Sequence, residues 1–192
     1  MPGSGTITVA RHGEPALSRK LTLDAKGYGD FWAKYEEGGL LSEQTAPDHL
    51  IETARNADLV LVSSRRRAIE SARLVMGERA FEEDVRLIEA PLPAPNWPGF
   101  VKMSPRLWGF FSRFWWWWFN HHAGQETRAQ ASERARQVAR RISETADKGQ
   151  NVLVFAHGFF NAMLGLELSR LGWKRTWGRG YKYWSTRRFE RR

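Results

Sequence analysis

Two short apolar runs in this chain each stop at a histidine followed by glycine. The first reads Ile7-Thr8-Val9-Ala10 and then Arg11-His12-Gly13-Glu14; the second reads Val152-Leu153-Val154-Phe155-Ala156 and then His157-Gly158. Runs this short, apolar and rich in β-branched residues are what a strand buried on both faces requires. In open α/β sheets, ligands bind at the carboxyl ends of such strands, so both imidazoles fall where chemistry is done. Gly13 lets the backbone bend or approach a ligand closely, and Arg11 adds a planar, permanent cation suited to phosphate.

A third apolar run, at 58–63, flows into Ser64-Arg65-Arg66-Arg67-Ala68-Ile69-Glu70-Ser71-Ala72. There Ala68, Ala72 and Val75 recur at helical spacing, which makes a second strand–loop–helix joint with arginine at the turn. A short further strand is expected over 85–88, ending at Glu89. Helices are expected at about 25–35, from Pro47-Asp48 onward, over 107–119, over 127–147 and over 159–171. The 127–147 helix has the clearest pattern, because Ala131, Ala135, Val138, Ala139, Ile142 and Ala146 form one stripe with arginine and glutamate opposite. The tail at 181–189 alternates aromatic and basic residues, as an edge strand would. Strands alternating with helices, without repeat or linker, predict a single-domain α/β fold over residues 1–192. Its central sheet is expected to be mostly parallel, with helices on both faces.

Residues 90–105 hold five prolines and are expected to form a loop or lid, and 110–119 is almost wholly aromatic. The two together, about 90–122, are read as a lid-like insertion. Its aromatic part is too short to span a bilayer and too apolar to lie free in water. Packing on the sheet is the ordinary explanation; the alternative is a pocket wall or an interface, with Trp97, Trp115 and Trp118 as candidate wall residues. His121-His122 makes a weak metal site, since adjacent helical residues diverge.

The chain has no cysteine and no apolar leader, from which a cytoplasmic protein is expected. Thirty Lys and Arg against 21 Asp and Glu give a net charge of +9, which favours an anionic partner. Interleaving of Trp173, Trp177, Tyr181, Tyr183 and Trp184 with basic residues would also suit stacking on single-stranded nucleic acid. Nucleic acid is nonetheless not expected as the partner.

Taken in order, these pieces resemble the histidine phosphatase superfamily, which includes the phosphoglycerate mutases. Arg11-His12-Gly13-Glu14 is similar to its signature loop. Ser63, Arg67-Ala68 and Ser71-Ala72 are similar to its second motif, with Ser71 in place of Thr. Glu89 with Trp97-Pro98-Gly99 resembles its acidic residue and the stretch after it, and Ala156-His157-Gly158 resembles its second histidine. The resemblance implies a phosphoglycerate mutase-like fold and a phosphohistidine formed at His12. It also implies Arg11, Arg67 and His157 around the phosphate, Glu89 as general acid, and neither metal nor cofactor.

Glu14, beside the loop, is the competing acid and a candidate pocket residue. Arg67 is expected to serve turnover far more than folding. The short chain and its proline- and tryptophan-rich middle favour a phosphatase over a mutase. The expected partner is a small phosphorylated substrate, with an apolar group if the tryptophans form a wall. No transmembrane segment is expected, and a homodimer is allowed. A catalytically idle basic binding module of the same fold, for nucleic acid or acidic lipid, and a phosphoglycerate mutase-type phosphotransferase are the remaining alternatives.

Overall fold

A computed structural model describes residues 3–178 and 180–191. A six-stranded sheet lies at its centre in the order β3-β2-β4-β1-β6-β5. β1 (Ile7–Arg11), β2 (Leu59–Ser63), β3 (Glu82–Asp84) and β4 (Val152–Ala156) are parallel. β6 (Thr186–Arg191) runs antiparallel to both β1 and β5 (Trp173–Trp177). β1 and β4 pair in a register that sets Arg11 opposite Ala156, so His12 and His157 leave neighbouring strands at the same level.

The pleat divides the strand residues between two cores. On one side Val9, Leu61, Val152 and Val154 pack with α5 (Arg128–Asp147) and α6 (Gly158–Arg170). On the other, Ala10, Val60, Val62, Leu153 and Phe155 pack with α2 (Asp48–Arg55) and α3 (Arg66–Met76). A third cluster joins Tyr28, Phe31 and Tyr35 of α1 (Ala25–Glu37) to Trp108 of α4 (Pro105–Phe119). Pro105 at the start of α4 loses no hydrogen bond there, and Ser104 caps it by accepting from Leu107 N.

Two expected strands are corrected. The 85–88 strand is a 3-10 turn, Val85–Leu87, and β3 precedes it. Asp84 turns the chain by accepting from the backbone N–H of Arg86, which ends the pairing with β2 before Val85. The 181–189 tail enters the sheet only at Thr186, as β6, and it is not the edge. That place is taken by β5, whose Trp173 side chain is buried while the rest of the strand is exposed. Among the described residues no helix is long and apolar enough to cross a membrane.

Candidate active site

His12 follows β1 directly and is 1% exposed; His157, the N-cap residue of α6, and Arg67, in the first turn of α3, are fully buried. The two imidazole rings lie 5.1 Å apart. Nδ1 of His12 is 2.7 Å from the carbonyl oxygen of Gly13. A carbonyl only accepts, so this contact places the proton on Nδ1 and leaves the Nε2 lone pair for reaction. Burial, reinforced by the guanidinium charges of Arg67 and Arg11, holds His12 well below the ordinary imidazole range. Neutral imidazole is the form a nucleophile needs.

His157 is set differently. Its Nε2 lies 2.9 Å from Ser63 Oγ, at the end of β2. Ser63 Oγ also accepts a long contact, 3.4 Å, from the backbone N–H of Arg65. Burial first, then Arg67, His12 and Arg11, push His157 well below its usual range, so the ring is neutral. Its Nδ1 is buried with no protein partner. Nε of Arg11 and Nε of Arg67 are likewise buried without partners. Two guanidinium donors and an imidazole nitrogen, all without partners, thus belong to residues that surround His12. Buried donors without acceptors are costly, and a bound oxyanion would satisfy them.

Arg67 does more than expected. Its Nη1 donates to the carbonyls of Tyr35 and Glu36 at 2.8 and 3.2 Å, and Nη2 pairs with Glu36 Oε1 at 2.7 Å. The guanidinium therefore ties the end of α1 to α3, and the expectation that Arg67 serves turnover far more than folding does not follow from this geometry. Arg65 also pairs with Glu36, at 2.8 Å.

Glu89 is 8% exposed and reaches the first turn of α6. Its Oε1 accepts from Ala90 N and Phe160 N at 3.2 and 2.8 Å, and Oε2 accepts from Phe159 N at 3.2 Å. This carboxylate complements the free N–H groups and positive end of the helix. A carboxylate oxygen has two acceptor sites, so one on Oε2 stays open. Glu89 borders a cleft of about 240 Å³ with Trp32, Glu36, Arg65, Pro91 and Gln125. Glu14 is exposed on the other side, in an open cleft of about 720 Å³ shared with Arg11, Arg19, Arg106, Lys182 and Tyr183. A separate cleft of about 660 Å³, lined by His49, Asn56, Asn151 and Arg188, touches none of the predicted site residues.

Sequence reasoning missed the roof. Tyr183 stands 5.8 Å from His12, and the Arg11 guanidinium lies over its ring at 4.5 Å. Arg11 Nη1 also donates to the carbonyl of Tyr181. Arg19 lies over Tyr35 at 4.6 Å. Trp184 packs so closely on Gly13 that a Cβ there would fall 2.5 Å from its ring. Gly13 therefore admits a tryptophan, not a ligand as its position suggested. Gly158 has the same kind of role, since a Cβ would sit 3.2 Å from the Arg11 guanidinium.

Ser71 Oγ accepts from Gly13 N at 2.9 Å and fixes the loop to α3. The motif spacing marked Ser63 and Ser71, but not what they bond. Nothing local to 181–184 marks it as a roof.

The candidate wall tryptophans lie apart from this roof. Trp97 packs edge-on against Trp115 at 5.2 Å, and Trp118 is 70% exposed, touching Phe114. His121 bonds the carbonyl of Ala94 through Nε2 at 2.9 Å. Among the described residues, no three His, Cys, Asp or Glu side chains group as metal ligands.

Comparison with known proteins follows the same lines. The family model described as histidine phosphatase superfamily (branch 1) matches residues 7–192. No curated protein matches the sequence. Among solved structures, phosphoglycerate mutase from Bacillus anthracis str. Sterne is 20% identical, with a TM-score of 0.55 over 97% of this chain and 88% of that one. YhfR of Bacillus stearothermophilus is 18% identical, with a TM-score of 0.57 over 87% and 81%. A phosphoserine phosphatase from Entamoeba histolytica, solved with phosphoserine, is 15% identical, with a TM-score of 0.54 over 86% and 80%. At these identities the likeness is one of fold.

Proposed function

This chain belongs to the histidine phosphatase superfamily, and from that premise we propose that it is a cytoplasmic, metal-independent phosphomonoester phosphatase acting through a phosphohistidine on His12. The observation that carries this reading is the set of unpartnered buried nitrogens on residues around a neutral imidazole whose other nitrogen is fixed by Gly13. Arg11, Arg67 and His157 hold the phosphoryl oxygens and neutralise their charge, which is most of what phosphoryl transfer asks of a protein.

The steps balance with the residues in place. Glu89 enters the cycle as the acid, protonated on Oε2; His12 Nε2 forms a bond to phosphorus while the ester P–O bond breaks, and the leaving alkoxide takes that proton. Water then attacks phosphorus, returns a proton to Glu89, and releases phosphate as the N–P bond breaks. Glu89 is preferred to Glu14 because it is buried at the head of α6, the helix that His157 caps, with an acceptor site open on Oε2. For the donors to reach substrate, Tyr183 and its segment must shift, since His12 is almost fully covered.

The test is to quench the protein with p-nitrophenyl phosphate and locate the covalent phosphate. Acid-labile, alkali-stable label on His12, absent from His12→Ala along with turnover, is expected. Label on a serine or aspartate, or undiminished turnover in the variant, would overturn the mechanism. Binding of phosphate esters with no turnover at all would leave the fold as a binding module.

A further inference from the structure

The outward face of α4 has no role in the reaction described above, and its composition is unusual. Leu107, Phe110, Phe114 and Trp118 recur at helical spacing and are 52%, 61%, 41% and 70% exposed. They lie opposite the buried face made by Trp108, Ser112 and Trp116. Phe119 extends this surface at the helix end, and Phe100, just before the helix, is exposed as well. Contiguous aromatic surface of this kind marks a binding face.

Charge decides what it binds. No Asp or Glu occurs between Glu89 and Glu126, whereas Lys102, Arg106 and Arg113 all lie in that stretch. Among the described residues, no carboxylate pairs with any of the three. Arg106 flanks the aromatic face on one side of the helix, and Arg113 follows on that side with its guanidinium turned to the Gly109 carbonyl and the Phe159 ring. Beside them Arg128 lies over the Trp117 ring at 5.0 Å. A twofold contact between two copies of this face would bring these cations together with no carboxylate from the segment to offset them. An anionic lipid surface offers the complement: acyl chains for the rings and headgroups for the guanidinium groups. At about 1.5 Å per residue the helix is roughly 22 Å long, short of the 30 Å or so needed to span a bilayer, but suited to lying in its interface.

We propose that α4 docks this protein on an anionic membrane surface, with Leu107, Phe110, Phe114 and Trp118 in the acyl boundary and Lys102 and Arg106 at the headgroups. Position relative to the site gives the docking a purpose. Arg106, in the first turn of α4, also borders the cleft formed by Arg11, Arg19, Lys182 and Tyr183. Docking therefore sets the mouth beside Tyr183 at headgroup level. The substrate class that follows is a phosphomonoester whose apolar part stays in the bilayer, an assignment that rests on the phosphatase reading while the docking does not.

Cosedimentation of the full chain with phosphatidylcholine vesicles, with and without phosphatidylglycerol, tests the docking. Binding is expected only with phosphatidylglycerol present, weakening as salt is raised. The combined variant Leu107→Ser, Phe110→Ser, Phe114→Ser should lose at least roughly tenfold in vesicle affinity while hydrolysing soluble p-nitrophenyl phosphate at the unaltered rate. His12→Ala should bind vesicles like the parent chain, which keeps a failure of docking distinct from a failure of the reaction. Absent vesicle binding, equal binding to neutral vesicles, or undiminished binding by the combined variant would overturn the proposal. A parent chain that is dimeric by light scattering, beside a monomeric combined variant, would overturn it in favour of a second copy on this face. Phosphatidate in mixed vesicles, hydrolysed faster than a soluble short-chain phosphatidate by the parent but not by the combined variant, is the expected substrate result; no difference between the two would overturn the substrate class alone.

Discussion

The floor of the active site and the helix α4 beside it are organised on opposite principles. On the floor, polar atoms are placed by named partners: His12 by the Gly13 carbonyl, His157 by Ser63, the Gly13 loop by Ser71, and Glu89 by the N–H groups of Phe159 and Phe160. Among the unpartnered buried atoms, Arg11 Nε, Arg67 Nε and His157 Nδ1 belong to the residues around His12. In α4, one half is as firmly placed as any core: Trp108 and Trp116 are fully buried, and each indole N–H reaches a backbone carbonyl, of Leu23 and Glu126, at 2.7 and 2.9 Å. The other half meets water. Buried donors without acceptors signal a ligand on the floor, whereas on the helix the signal is unburied apolar area. These are different kinds of evidence, and they fail under different substitutions.

The largest expected effect lies in the buried half of α4. Trp116→Ala removes a ring packed among the residues of the main core and leaves the carbonyl of Glu126 without its donor. A loss of about 3–5 kcal/mol is expected in denaturant unfolding. A loss below 1 kcal/mol would show that the insertion is not joined to the core, and the contrast between its two faces would disappear.

Next comes the floor. Glu89→Gln keeps the shape and an acceptor oxygen at the head of α6 but cannot deliver a proton. Turnover of an alkyl phosphate is expected to fall by about a hundredfold, within the range for general acid catalysis. An aryl phosphate with a good leaving group should fall much less. Equal losses on both esters would show that Glu89 serves the helix cap only, and would pass the acid's role to Glu14 or to water.

Much of the floor was legible because strands buried between two helical layers must be apolar, so their ends stand out. Arg11, His12, Arg67 and His157 could be read from those ends, and the pairing of β1 with β4 accounts for the two histidines meeting. β3 was missed because its sequence, Glu82-Glu83-Asp84, opposes strand propensity. It is tolerated at the edge, where Arg86 pairs with Asp84 and Arg141 with Glu82. The apolar signal at Val85 and Leu87 belonged to a turn with Val85 outside and Leu87 buried. Tyr183 was out of reach because the fold brings the Tyr181 carbonyl to an arginine 170 positions away. The tryptophan run was read as pocket wall, core or interface; within one helix Trp116 is buried, Trp118 is exposed, and Trp115 and Trp117 lie between.

The two buried histidines also predict how stability depends on pH. Both imidazoles are held well below their ordinary value by burial, so the unfolded chain binds protons that the folded one does not. Their effect is absent above the unfolded value, about pH 6.5, and grows as pH falls toward the folded values. Each histidine should then cost about 1.4 kcal/mol per pH unit over that interval. A flat stability between pH 7 and 5 would mean that a proton enters the site without unfolding it, contrary to the closed floor described here.

The smallest expected effect is on the open half of α4, and it is the sharpest test of the comparison. Phe110 is 61% exposed and its ring meets Phe111 edge-on at 5.4 Å, so little of it is shielded by the fold. Serine has a helix propensity close to that of phenylalanine, so the backbone gives no separate penalty. Phe110→Ser should therefore change unfolding free energy by no more than about 0.5 kcal/mol, the usual range for surface positions. Solubility of the isolated chain should rise, because exposed aromatic area promotes association. If the substitution instead costs 2 kcal/mol or more, the outer face of α4 is part of the fold's own packing and is not available to any partner. The difference between Trp116→Ala and Phe110→Ser, six positions apart on one helix, thus measures how completely the helix divides its aromatic residues between folding and binding.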